Sequence, residues 1–191
     1  MKHYAKIENE KDKIVSVGLG TDSAFYKSIG MELMDVEQSY NGNWYIAGYI
    51  PKQPITEVRT TALSRIDSVT SFNLLNGFDY KINDEILHFS YNHEDQLNFS
   101  DTFNGIAMKK LMGVEDLPET IDWNGWRNPT ESSKGELVVL TLTPEDFLTL
   151  YTKGAFVHKQ THLELGKQRK KLINDATSIE EINSLLKEWN I

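Results

Sequence analysis

An apolar run, Leu137-Val138-Val139-Leu140-Thr141-Leu142, passes without a break into Thr143-Pro144-Glu145-Asp146. Those four residues supply an N-cap, a proline at the first helical position and two acids in the first turn, the most specific helix-start signal in the chain. A strand feeding directly into a helix belongs to a mixed fold, and the chain reads as α+β. The run has no polar face, which predicts a strand placed centrally in its sheet with both sides covered. The helix is expected to reach about Ala176, roughly 45–50 Å at 1.5 Å per residue, with Gly154 and Gly166 as candidate kinks costing ~1 kcal/mol each relative to Ala.

The rest of the chain divides at Tyr49-Ile50-Pro51-Lys52-Gln53-Pro54. Residues 1–54 read as a small β-rich N-terminal unit. Strands are predicted at Lys13 to Val17 and Asn43 to Ile50, with a short helix between them capped by Asp22 and closed by Gly30. Residues 55–191 form the second domain, an α+β unit with two β-hairpins and long C-terminal helices. Ile55, Val58, Ala62, Ile66, Val69 and Phe72 mark an amphipathic helix ended by Asn76-Gly77. Phe78 to Ile82 and Ile86 to Phe89 form a hairpin about Asn83-Asp84. Asn92 and Asp95 cap a helix with Phe99, Phe103, Ile106 and Leu111 inward and Gly113 past its end. Ile121 to Trp126 pairs with Glu136 to Leu142, and Thr177-Ser178-Ile179-Glu180-Glu181 opens a last helix with Ile182, Leu185, Leu186 and Trp189 on one face.

Charge and composition narrow the function. The 191 residues carry 20 basic and 28 acidic side chains, and the resulting charge of -8 argues against a nucleic-acid or anionic-membrane partner. That charge is spread as -1 over residues 1–54, -9 over 55–150 and +2 over 151–191. No window approaches the ~18 consecutive apolar residues of a membrane helix, and Met1 to Lys6 runs into charged Glu8 to Lys13 with no secretory h-region. The absence of cysteine removes disulfides, thiolate metal sites and thiol nucleophiles.

Gly18-Leu19-Gly20-Thr21-Asp22 lacks the third glycine of a dinucleotide loop and the Gly-Lys-Ser/Thr of a P-loop, and reads as a turn and helix cap. His158 and His162 have the i,i+4 spacing of metal ligands, but Lys159 stands where a zincin has its Glu, so no metal is expected. The acid pairs 84–85, 94–95, 115–116 and 145–146 fall at turns and first helical turns, where carboxylates serve local structure; a pair meeting across a cleft would instead suit glycoside hydrolysis. No Gly-x-Ser-x-Gly elbow occurs. No catalytic residue and no cofactor are therefore assigned. Aromatic side chains give large contact area, and Trp44, Trp126 and Trp189 are the candidate interface residues, with Trp123 expected in the core.

Taken in order, Glu94-Asp95-Gln96-Leu97-Asn98-Phe99, Trp123, Leu140 to Tyr151 and Ala176 to Asn183 resemble an uncharacterised domain found near the C-terminus of bacteriophage tail-fibre and baseplate-associated proteins. The resemblance covers about residues 55–191, and Val17 to Thr21 with Tyr49-Ile50-Pro51 is similar to short segments that precede this domain. It implies a non-enzymatic structural protein or adaptor of a tailed bacteriophage, made in the host cytoplasm and carried on the virion. Its partners would be other tail, baseplate or fibre proteins. The chain has no β-repeat shaft, which favours an attachment subunit over the receptor-contacting fibre. An oligomer is expected, a trimer being one arrangement suited to a symmetric tail. The alternative is a carbohydrate-binding or cell-wall-degrading module built on the Trp and Tyr set.

Overall fold

A computed structural model describes residues 1–113, 117–130, 133 and 135–191 of the chain. They fall into two compact units, Met1–Val58 and Arg59–Ile191. Helix accounts for 48% of the chain and strand for 26%, with a β-rich N-terminal region and long C-terminal helices, so the fold is α+β. No described helix is long and apolar enough to cross a membrane.

In the first unit β1 (Lys2–Asn9), β2 (Ile14–Gly18), β3 (Glu32–Gln38) and β4 (Trp44–Ile46) close into a small antiparallel barrel of order β1-β2-β4-β3. α1 (Ser23–Ser28) lies between β2 and β3, and Asp22 caps it by accepting from Phe25 N. β1 and β3 go beyond the two strands expected from sequence. Their charged residues lower β propensity, yet so small a barrel needs only a few inward side chains. Ala5, Val15 and Val36 supply its buried centre, with Ile7, Met34 and Trp44 packed around them. β4 is shorter than expected because Gly48, at φ 86, turns the chain after Ile46.

The second unit centres on one four-stranded antiparallel sheet of β5 (Phe78–Ile82), β6 (Glu85–Phe89), β7 (Ile121–Arg127) and β8 (Glu136–Leu142), in chain order. The two expected hairpins thus join, through pairing of His88 with Trp126. Asn83 and Asp84 turn the first hairpin with φ of 49° and 63°, the left-handed pair of a type I′ turn. α2 (Ile55–Leu75) precedes the sheet, and α3 (His93–Leu111) connects β6 to β7. Asn92 accepts from Glu94 N at 2.8 Å and Asp95 N at 3.1 Å, while Asp95 Oδ2 takes the Asn92 N–H at 3.0 Å, the reciprocal capping box read from sequence. One face of the sheet packs on α3 and on the helix after β8; Phe78, Leu87, Phe89, Phe99, Leu140 and Phe147 are the bulk of that core.

Three sequence expectations fail here. The Leu137 to Leu142 strand is at the sheet's edge, not its centre, and only alternate residues are covered: Leu140 and Leu142 are buried, while Leu137 and Val139 are 49% and 57% exposed. Phe72 is 70% exposed and Leu111 81% exposed, although both were expected inward. At 100° per residue Phe72 stands about 120° round the helix from Ile66, and Leu111 about 140° from Ile106, so neither shares the buried stripe.

The long helix starts where predicted. Thr143 Oγ1 accepts from Asp146 N at 3.2 Å, opening α4 (Pro144–Leu150), which passes through a π-helical turn at Tyr151–Ala155 into α5 (Phe156–Asp175). The irregularity falls at Gly154, and packing explains that residue: a β-carbon there would lie 2.7 Å from Phe78 Cε2 and 3.3 Å from Tyr80 Cδ2, both on β5. Gly166 does the same towards α2, where an added β-carbon would lie 2.7 Å from Thr70 Oγ1. α2 and α5 run antiparallel and close each other's ends. Arg59 Nη2 donates to Ala176 O at 2.8 Å and Arg59 Nε to Ile173 O at 3.3 Å; at the other end His158 Nε2 donates to Leu74 O at 2.9 Å, and Lys170 pairs with Asp67 between them. These contacts satisfy carbonyls that helix C-termini otherwise leave open. Ser178 then caps α6 (Ile179–Glu188), which buries Ile182 and Leu186.

Candidate functional site

Strand alternation gives the sheet of the second unit an outward face. Asp79 and Lys81 lie on it from β5, Ile86 and His88 from β6, Asp122, Asn124 and Trp126 from β7, and Leu137, Val139 and Thr141 from β8. Direct cross-strand pairing lines up Asp79, His88, Trp126 and Leu137 in one row across all four strands. His88 is fixed within that row, Nδ1 at 2.8 Å from Asp79 Oδ1 and Nε2 at 2.9 Å from Asn76 O at the end of α2. Both ring nitrogens therefore face an acceptor, which fixes the orientation of the ring. Beside the row runs an open groove of about 1200 Å³, lined by Phe72, Asn76, Asp79, His88 and Trp126 among others.

On the opposite, core-facing side one end of the sheet is clamped by Arg127. Its Nη1 lies 3.0 Å from Glu136 Oε2 and its Nη2 3.0 Å from Glu85 Oε2, with Nε also on Glu85, so one guanidinium ties β6, β7 and β8 together. The bond from Arg127 holds the Glu85 carboxyl below its ordinary range, and the two carboxylates hold the guanidinium charged.

The three candidate tryptophans stand on different elements, Trp44 in the first unit and Trp126 and Trp189 in the second. Trp44 packs on the barrel core of the first unit, edge-on to His3 with ring centres 5.3 Å apart. Trp126 and Trp123, three apart on β7, take opposite faces, and Trp123 stacks into the core 4.4 Å from Phe99 and 4.9 Å from Phe147. Trp189 ends α6 with the Arg169 guanidinium 5.4 Å over its ring, a cation–π contact.

Five of the acids in the candidate pairs serve local structure. Asp84 pairs with Lys81, Glu85 with Arg127, Asp95 closes the α3 cap, Glu145 pairs with Lys110 and Asp146 accepts from Thr143 Oγ1. The pair 115–116 lies outside the described residues. Among the described residues no three His, Asp or Glu side chains are grouped as a metal site would need. Gly18 and Gly20 cradle the Tyr26 ring, whose hydroxyl accepts from Gly20 N at 2.8 Å, so that loop serves as a turn.

His158 and His162 do meet, ring centres 4.6 Å apart and edge to face. His158 is held by Leu74 O and lies against Phe78 and Tyr91. Burial, and secondarily the neighbouring His158, lower the pKa of His162 below its ordinary 6.5. The unfolded chain therefore takes up this proton at a higher pH than the folded one, and the stability linked to His162 is full above pH 6.5 and drains as pH falls through the folded value. The melting temperature should fall between about pH 7.5 and about pH 5.5, above the range where Glu85 and Glu145 titrate, and His162→Gln should flatten that fall. An unchanged slope in the variant would remove His162 as its source.

No family model, no curated protein and no solved structure matches this chain. The site therefore stands on its own geometry. Sequence reasoning picked Trp126 but missed Leu137, Val139, Ile86 and His88. The available signal was β7 itself: Asp122 and Asn124 alternate with Trp123, so the face opposite Trp123 is wet, and the hairpin partner must share it.

Proposed function

We propose that this chain is a non-enzymatic adaptor, a structural subunit that works by gripping other polypeptides in the tail, fibre or baseplate of a tailed bacteriophage. The observation that carries the adaptor reading is the outward sheet face. Ile86, Leu137 and Val139 stand exposed there beside Trp126, while Glu85, Asp146 and His158 are engaged in a clamp, a cap and a helix end. Contiguous exposed apolar surface of this kind marks interaction sites. The phage assignment rests on the ordered motifs of residues 55–191. Their residues serve this fold as scaffolding: the α3 capping box, Trp123 in the core, the Thr143 cap and the Ser178 cap.

The test is to tag the chain in the genome that encodes it, purify particles and tail-assembly intermediates, and probe both. The chain should be present in one or the other, alongside a tail or baseplate subunit. Its absence from both would sink the reading. A carbohydrate-binding module is the second reading, favoured by the groove that sets Trp126 beside Asp79 and His88. Saturable binding on a glycan array that is lost in Trp126→Ala would establish it in place of the first.

A further inference from the structure

Among the described residues one strand edge stands out as unguarded. The barrel of the first unit closes on itself and has no edge. In the second unit the β5 edge is a short strand that carries Lys81 and Asp79 on its outward face, and the π-helical turn packs Gly154 against its Phe78 and Tyr80. The opposite edge, β8, has none of the usual protection. It is seven residues long, pairs with β7 through seven successive residues without a bulge, and contains no Pro, Gly or Lys. Its one charge, Glu136, stands at its first residue and is paired with Arg127 at 3.0 Å. Among the described residues no strand pairs on its outer side. A long, flat, apolar edge is a template for another strand, and proteins that have no use for one interrupt it with charge, proline or a bulge.

We propose that β8 pairs antiparallel with β8 of a second copy of this chain, joining the two sheets into one of eight strands about a twofold axis through Val139. Register parity leads to this arrangement. Residues directly opposite across a ladder share a face, and in β8 the odd positions face out and the even ones in, so only registers whose paired numbers sum to an even value keep both faces aligned. Of these, the register that sets Val139 opposite itself alone pairs all seven residues. It places Glu136 opposite Leu142, Leu137 opposite Thr141 and Val138 opposite Leu140. No like charges meet, and both rows match: Val138 and Leu140 face the two cores, while the outward row of Trp126 and Leu137 continues into Thr141 and Asp122 of the second copy. The chain's net charge of -8 opposes association only at long range, where salt screens it. The proposal deepens the adaptor reading by making a dimer, rather than a trimer, the unit that is assembled.

The experiment is light scattering on the full-length chain over a concentration series, with two outward-facing substitutions. Wild type should reach twice the monomer mass of 21.9 kDa. Val139→Lys places two ammonium groups face to face on the axis and should weaken self-association at least about tenfold. Ile86→Lys, on the same face but two strands away, should leave the dimer intact. Because the chain has no cysteine, Val139→Cys supplies an independent readout. Cross-strand neighbours lie within disulfide range, so mild oxidation should give a crosslinked dimer, and Ile86→Cys should not. A monomer at every concentration overturns the proposal, as does capture of only a different polypeptide on β8. A dimer indifferent to Val139→Lys and not crosslinked by Val139→Cys also overturns it, while leaving the adaptor reading to be judged by the particle experiment.

Discussion

Phe99→Ala is expected to lower the stability of the second unit by about 3–5 kcal/mol, the cost of emptying a buried phenylalanine site. The ring is fully buried on α3 and lies 4.4 Å from Trp123, 5.8 Å from Tyr91, 5.9 Å from Phe78 and 6.0 Å from Phe147, centre to centre. Those neighbours come from β5, β7, α4 and the segment leading into α3, so Phe99 is where the connecting helix is pinned to both hairpins and to the helix after β8. No single neighbour can move into the space without leaving another contact, and the cavity persists. Domains of this size are stable by only about 5–15 kcal/mol, so the urea midpoint should drop by about a fifth or more. Phe99→Leu keeps much of the volume and should cost less than half as much. Phe72→Ala, on an exposed ring, should stay within ~0.5 kcal/mol of wild type. Equal costs at positions 72 and 99 would mean that the core is not where the buried rings place it.

The contrast between those two phenylalanines also shows what the sequence made legible. Signals that depend on a few adjacent residues were readable: the Asn92 and Asp95 box, the Thr143-Pro144 start, the Asn83-Asp84 turn and the opposite faces of Trp123 and Trp126. Each is a local hydrogen bond or a local periodicity, and the chain alone determines it. Phe72 was misread because two successive steps of three, with no step of four to compensate, drift off the buried stripe, and Leu111 because a step of five from Ile106 leaves it. β1 and β3 were invisible because a barrel this narrow asks for little inward bulk, and Ala5 fills a core position without any apolar signal. The edge position of β8 was hidden for another reason: an apolar run is the same in sequence whether a neighbouring strand covers it from its own chain or from none. The alignment of His88 with Trp126 depends on pairing between strands separated by the whole of α3, which local patterns do not encode.

Gly77→Ala is expected to destabilise the second unit strongly, for a steric reason rather than a loss of volume. The helix α2 ends at Leu75, and Gly77 reverses the chain into β5 with φ of 90°, a region where side chains are strained. That strain alone costs about 1–3 kcal/mol. Here a β-carbon would also drive into the carbonyl oxygen of Phe89 and lie 2.8 Å from His88 Nε2. Neither neighbour is free to withdraw. Phe89 is fully buried and directly paired with Phe78, and the His88 ring is held between Asp79 and Asn76 O. The substitution therefore forces β5 from β6 or breaks the link from the end of α2 to the sheet, and a loss of more than about 3 kcal/mol is expected. Gly113 separates the two contributions. It too has positive φ, 64°, at the end of a helix of the same unit, but among the described residues nothing lies within 4 Å of an added β-carbon. Gly113→Ala should cost only about 1 kcal/mol, the conformational part by itself. If urea denaturation gave the two variants the same midpoint, the close packing of Gly77 beneath the Phe89 carbonyl and the His88 ring would be refuted. The groove wall formed by Asn76, His88 and Asp79 would then have no fixed geometry on which Trp126 could act.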